Sequence, residues 1–173
     1  MNLREVSTEV LQAEGPVVRL TRDDIHDLKS RAARSPHARA RICAHPGPDD
    51  PTQEMLIVLA RANDIRVHKH PGKVESFHVM EGLLSVVLFS EDGSVLETVA
   101  MGDYASGRAF YYRQTVPLYH AILPESDYVA FQEVTQGPFS REGTVYPTWC
   151  PAGGAELHTW LSELKRRVGA EAK

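Results

Sequence analysis

Cysteine is scarce in this chain: two residues, Cys43 and Cys150, among 173. Neither falls in a metal-ligand or redox spacing, which argues against a thiolate zinc site and fits a reducing, cytoplasmic location. Long apolar runs are missing too. The longest, Met55 to Ala60, is far short of the roughly 20 residues a membrane span needs. The first residues, Met-Asn-Leu-Arg-Glu-Val-Ser, lack the basic-then-apolar pattern of a signal peptide. There is no basic excess: 19 Lys+Arg face 23 Asp+Glu, for a net charge of −4 with neutral histidines. Nucleic acid is therefore not expected as a partner, because phosphate binding leans on a basic surface. No internal repeat or low-complexity tract occurs.

What is present reads as one domain, residues 1–173, large enough to bury roughly 70% of its unfolded surface without staples. Residues 1–20 form an arm, with Val6 to Leu11 and Val17 to Leu20 as short strands or surface segments. Thr21 to Arg34 predicts a helix. Thr21 caps it with Asp24 in the capping-box position, Ile25, Leu28 and Ala32 share a face, and Ser35-Pro36 ends it. The periodicity then shortens. Met55–Ala60, Ile65–His70, Ser76–Met80, Leu83–Ser90, Val95–Val99, Ala109–Arg113, Tyr119–Leu123 and Tyr128–Val134 are rich in β-branched and aromatic residues. Gly, Pro, Asp and Asn punctuate them,. Glu91-Asp92-Gly93-Ser94 between two apolar runs signals a hairpin. Strands at this spacing predict an all-β sandwich or barrel over residues 40–135. A turn-rich stretch follows, and a C-terminal helix over residues 155–168 places Leu157, Trp160, Leu161, Leu164 and Val168 on one face. That stripe reads as core or dimer contact.

Eight histidines occur, and their placement carries most of the functional signal. In His68-Lys69-His70-Pro71-Gly72-Lys73-Val74-Glu75, strand alternation points His68 and His70 the same way. Pro71-Gly72 turns the chain, and Glu75 can return as an oxygen ligand from the next strand, sharing a face with Phe77 and Val79. His120, at the start of a late strand, supplies a fourth ligand. Three imidazoles and a carboxylate suit Zn, Fe, Mn, Ni, Co or Cu and make a poor cage for Ca or Mg. Without a thiolate, such a set is typical of sites that keep a position open for water or substrate.

The pattern His-x-His, four residues, Glu, six residues, Gly resembles the first cupin motif, with His68, His70, Glu75 and Gly82 in its positions and Ala62 where a leading glycine would stand. The second cupin motif is matched at His120; Thr115, Pro117 and Pro124 depart from it. A narrower resemblance is to the WbuC family of cupin-fold metalloproteins. It rests on Arg39–His45, Gln53-Glu54-Met55, His68–His78 and Glu133–Phe139 and spans about Thr21 to Trp149. It implies a cupin-type double-stranded β-helix, or jelly-roll barrel, with one divalent transition metal (Zn, Fe, Mn or Ni) in its mouth, and a link to bacterial O-antigen biosynthesis. The cupin resemblance also implies a homodimer. It supplies no reaction, because one fold hosts many chemistries.

Other residues are assigned by chemistry and alternation. His45, in a Pro-Gly-Pro loop, and Tyr111 are candidate proton-transfer groups. Arg41 and Arg113 are the candidates for gripping an anionic substrate, with Gln53 as a polar liner. Arg39, Arg66, Lys73 and Arg108 are weaker candidates for the same role. Tyr146 and Trp149 could cover the mouth. His78 reads as a surface or helix-covered histidine, and His26, His37 and His158 as exposed. The expected function is a metal-dependent isomerase or epimerase on a small polar metabolite, a sugar or sugar nucleotide. An Fe-dependent dioxygenase and a non-catalytic metal-stabilised binding module are the alternatives.

Overall fold

Period-two alternation builds ten strands among the described residues, 2–171, of the computed structural model; Met1 of the arm, Ala172 and Lys173 lie outside them. In chain order these are β1 (Asn2–Ser7), β2 (Val10–Glu14), β3 (Arg39–Cys43), β4 (Thr52–Ala60), β5 (Glu75–Glu81), β6 (Leu83–Phe89), β7 (Val95–Gly102), β8 (Tyr111–Gln114), β9 (Tyr119–Pro124) and β10 (Tyr128–Gln136). Helices α1 (Arg22–Arg34) and α2 (Gly154–Glu171) flank them. One sheet runs β1-β2-β3-β4-β10-β5-β8 and the other β7-β6-β9. All pairings are antiparallel except β2 with β3.

The two sheets face each other as a jelly-roll barrel. Phe77, Val79, Val86, Met101, Val129 and Phe131 fill the space between them, each at most 1% exposed. The outer face of the larger sheet is covered by α1, whose Leu28 and Ala32 pack on Ala40, Ile42, Leu56 and Val58. The outer face of the smaller sheet is covered by α2. There Leu157, Leu161, Leu164 and Val168 pack on Val87, Phe89, Ala121 and Leu123. The α2 stripe is thus core rather than a dimer contact. Each buried leucine is worth about 1.5–3 kcal/mol of apolar burial. Among the described residues no helix is long and apolar enough to cross a membrane.

The helix start is as expected. The Asp24 carboxylate accepts from the Thr21 backbone N–H at 2.7 Å and from the Thr21 hydroxyl at 2.8 Å. The arm differs from expectation: it is a hairpin, β1–β2, that extends the large sheet, and Val17–Leu20 is not a strand. β3 carries no apolar run, because Arg39 and Arg41 occupy one of its faces, and so it escapes a hydropathy reading. Ile65–His70 is not a ladder strand. It crosses between the sheets and makes only isolated bridges, His68 to His120 and Lys69 to Val145.

Glu9, in the turn between β1 and β2, ties the arm to the end of α1. It accepts from Ser35 Oγ and His37 Nδ1, both at 2.6 Å, and from Arg39 Nε at 3.2 Å. Burial alone would raise its pKa; the hydrogen bonds from Ser35, His37 and Arg39, with the charge of Arg39, override this and hold it at about 2. A depressed carboxylate stabilises the fold above its unfolded pKa of 4.5, and that contribution fades as pH falls toward 2,. Glu9→Gln should therefore lower the stability by about 1–2 kcal/mol at pH 7, with the deficit shrinking below pH 4.5 in urea titrations at stepped pH. Gly82, between β5 and β6, has φ +86°, and a Cβ there would lie 2.4 Å from the Tyr128 carbonyl oxygen. Strain and overlap coincide, so Gly82→Ala should cost more than about 2 kcal/mol in the same titration.

Candidate metal centre

Three histidines meet at one end of the barrel. His68 and His70 come from the crossing segment before β5, and His120 is the second residue of β9. One nitrogen from each lies within 4.8 Å of the others. Ring centroids are 4.6 Å apart for His68–His120, 4.9 Å for His68–His70 and 6.0 Å for His70–His120. Glu75, the first residue of β5, closes the group. Its Oε2 lies 3.3 Å from His120 Nε2 and its Oε1 3.9 Å from His70 Nε2.

The far side of each ring is held by the main chain. The Nδ1 of His68 is 2.8 Å from the Arg66 carbonyl, that of His70 3.2 Å from Gly143, and that of His120 3.4 Å from Leu118. A carbonyl only accepts, so each Nδ1 carries the proton and each Nε2 presents a lone pair to the shared space. Burial lowers the pKa of all three histidines, that of His68 to about 4, so the imidazoles are neutral at pH 7. Burial, with the charge of Glu133 added, raises Glu75 well above the carboxylate range.

These residues fit a divalent transition metal. Glu75 Oε2 and His120 Nε2 are both buried with no hydrogen-bond partner. The two atoms lie 3.3 Å apart but form no hydrogen bond with each other. Buried polar atoms without partners are rare and costly, and a cation among them would satisfy both. The ligand set expected from the sequence, His68, His70, Glu75 and His120, is therefore brought together in space.

The cluster opens into a cavity of about 770 Å³. Its walls include the inward residues of β3 (Arg39, Arg41, Cys43), β4 (Gln53, Met55, Ile57) and β10 (Phe131, Glu133, Thr135). His45 lines it, with Nδ1 3.0 Å from both the amide nitrogen and the carbonyl oxygen of Glu54. Gln53 reaches it as well, but its amide nitrogen is occupied by the carbonyls of Gly47, Pro48 and Asp50, so it holds a loop. Tyr146 stands at the rim with its ring 4.8 Å beneath the Arg66 guanidinium. Trp149 packs instead against Phe89, Tyr119 and Trp160 under α2.

Two sequence assignments are corrected. Tyr111 pairs with His78 and Arg113 with Ser76, all on the outer face of the large sheet. Tyr111 is exposed, and Arg113 borders only a shallow surface depression away from the histidines. The register of β8 against β5 decides this, because Tyr112, paired with Phe77, takes the inward position,. His78 is exposed, as expected.

Glu133 was not foreseen. It faces the cavity from β10 and has no hydrogen-bond partner among the described residues, so it is enclosed by protein yet open to the cavity's solvent. Burial raises its pKa to about 7, against the opposing charge of Arg41. The sequence signal was parity: Val129, Phe131 and Glu133 share a face, so the acid continues an inward apolar stripe.

A family model described as a domain of unknown function (DUF6016) matches residues 20–101, which hold His68, His70 and Glu75. None of the curated proteins matches the chain. Among solved structures, protein SO0799 from Shewanella oneidensis is 13% identical over 57% of this chain and 63% of its own, with a TM-score of 0.49. An oxalate oxidase in complex with the substrate analogue glycolate is 19% identical, covering 65% and 56%, at 0.47. The oxalate decarboxylase of Bacillus subtilis, a protein with Mn(II) centres, is 16% identical, covering 56% and 24%, at 0.41. The chain thus spans less than two thirds of each of these proteins.

Purified protein should carry close to one equivalent of a divalent transition metal by elemental mass spectrometry. His68→Ala and His120→Ala should each weaken retention by more than roughly 100-fold, beyond what loss of a mere supporting hydrogen bond costs. Metal at about 100 times its Kd should stabilise the wild type by about 2.7 kcal/mol and leave both variants unmoved.

Proposed function

We propose that this protein is a metal-dependent enzyme acting on a small polar metabolite, a sugar or sugar nucleotide, by isomerase or epimerase chemistry. The observation that carries the reading is the pair of orphaned buried atoms, Glu75 Oε2 and His120 Nε2, beside a cavity of about 770 Å³. A volume of this order matches small-molecule sites. A closed structural zinc site would lean on thiolates and would not adjoin such a space. The likeness of its motifs to WbuC supports a role in O-antigen biosynthesis, and the cupin resemblance supports a homodimer.

A bound divalent ion supplies Lewis acidity toward a substrate oxygen. The chain's own residues do the rest. Main-chain carbonyls at Arg66, Leu118 and Gly143 orient the three imidazoles. Glu133, free of protein partners in the cavity wall, takes a proton from a substrate carbon and returns it. His45, in the same wall, is held by the Glu54 main chain and shapes the mouth.

The test is solvent-deuterium exchange into sugar phosphates and nucleotide sugars, run with metal-loaded protein in D2O. The wild type should exchange a carbon-bound hydrogen. Glu133→Gln should slow that exchange by about 10²–10⁴-fold with its metal content unchanged. Binding without exchange in the wild type would replace the enzyme reading with a binding module, and substrate-dependent oxygen uptake would replace it with oxygen chemistry.

A further inference from the structure

Four basic side chains border the cavity: Arg39, Arg41, Arg66 and Lys73. Three are committed to protein oxygens. Arg39 Nε lies 3.2 Å from the Glu9 carboxylate. Arg66 Nη2 donates to the carbonyls of Pro147 and Cys150, each at 3.1 Å. Lys73 Nζ donates to the Pro138 carbonyl at 2.8 Å. Arg41 differs from all of these. Its charge acts on the Cys43 thiol and on Glu133, yet it closes no ion pair with a described carboxylate. Its Nε, like that of Arg66, is buried with no hydrogen-bond partner, and of the two only Arg66 is held through its Nη2 to protein carbonyls. A buried guanidinium nitrogen without an acceptor is costly, and an oxyanion is the partner whose two oxygens match the fork.

The position of Arg41 says how such a ligand would lie. Arg41 sits mid-strand on β3, opposite Ile57 of β4. The metal-ligand strand, β5, lies two strands beyond β4, across β10. The pairing register carries Arg41 through Ile57 and Phe131 to Val79, four residues from Glu75, so with strands about 4.8 Å apart and about 3.3 Å per residue the two stand roughly 19 Å apart along the sheet and closer across its concave face. Both side chains line the same cavity, and their reach shortens the gap a ligand must bridge.

We infer that Arg41 is an oxyanion anchor: the cavity takes a substrate whose carboxylate or phosphate pairs with the Arg41 guanidinium while an oxygen at its other end lies at the histidine cluster. The second contact rests on the metal-site reading; the first does not. Glu133, the acid nearest in effect to Arg41, opposes the anion's charge, so its removal tightens anion binding.

Metal-free protein, stripped by chelator and dialysed, is heated with inorganic phosphate or with acetate, at ionic strength held constant with chloride. At about ten times the Kd of the better anion, the wild type should gain roughly 3–5 °C in Tm, and the more effective anion names the head group. His68→Ala should keep this shift. Arg41→Gln should lose it. Glu133→Gln should bind the anion roughly tenfold more tightly, and it carries the test if Arg41→Gln does not fold. No shift in the wild type, an undiminished shift in a folded Arg41→Gln, or unchanged affinity in Glu133→Gln would each overturn the anchor. Failure of the metal reading would appear separately, as absent metal in elemental analysis with the anion shift intact.

Discussion

The register of β10 is the constraint on which the site depends. This strand lies between β4 and β5 and pairs antiparallel with both. Val129 and Phe131 lock one half of it into the core, where the Phe131 and Phe77 rings meet edge to face at 5.3 Å. The same parity then carries Glu133 and Thr135 into the cavity, beside Met55 and Gln53 on one side and Phe77 and Glu75 on the other. A slip of one residue would turn Glu133 outward and bring Val134 in. The apolar end of the strand thus fixes the polar end, and the dry core sets the geometry of the wet cavity.

Much of this was legible in the sequence, for reasons that can be named. The two-residue period and the Asp92-Gly93 turn gave the all-β class and the β6–β7 hairpin. The helices showed through Thr21 with Asp24 and through the Leu157–Val168 stripe. The candidate metal ligands were readable because spacing alone brings His68, His70 and Glu75 together, and only His120 needed the fold. What stayed hidden depends on long-range pairing. Nothing local shows that Tyr112 rather than Tyr111 faces inward, since that follows from the partner Phe77. The arginines of β3 mask a strand that is apolar on its other face only. His68 and His70 converge as expected, but through a crossing segment with isolated bridges instead of a ladder.

Electrostatically the cavity is a place of compensated costs. Neutral imidazoles and two carboxylates of weakened acidity, Glu75 and Glu133, share a space with the Arg41 guanidinium. None of these groups would be buried for stability alone. The surrounding fold offsets them with three packed apolar layers, one between the sheets and one under each helix.

The tie between His70 Nδ1 and the Gly143 carbonyl has a temporal side. The parts of the centre are encoded far apart and leave the ribosome in order: His68, His70 and Glu75 first, His120 some fifty residues later, and last the segment whose carbonyl steadies His70. A nascent chain holding only the first three ligands has neither the full donor set nor the brace. A metal that bound here would thus meet the full donor set only after nearly the whole barrel had been synthesised.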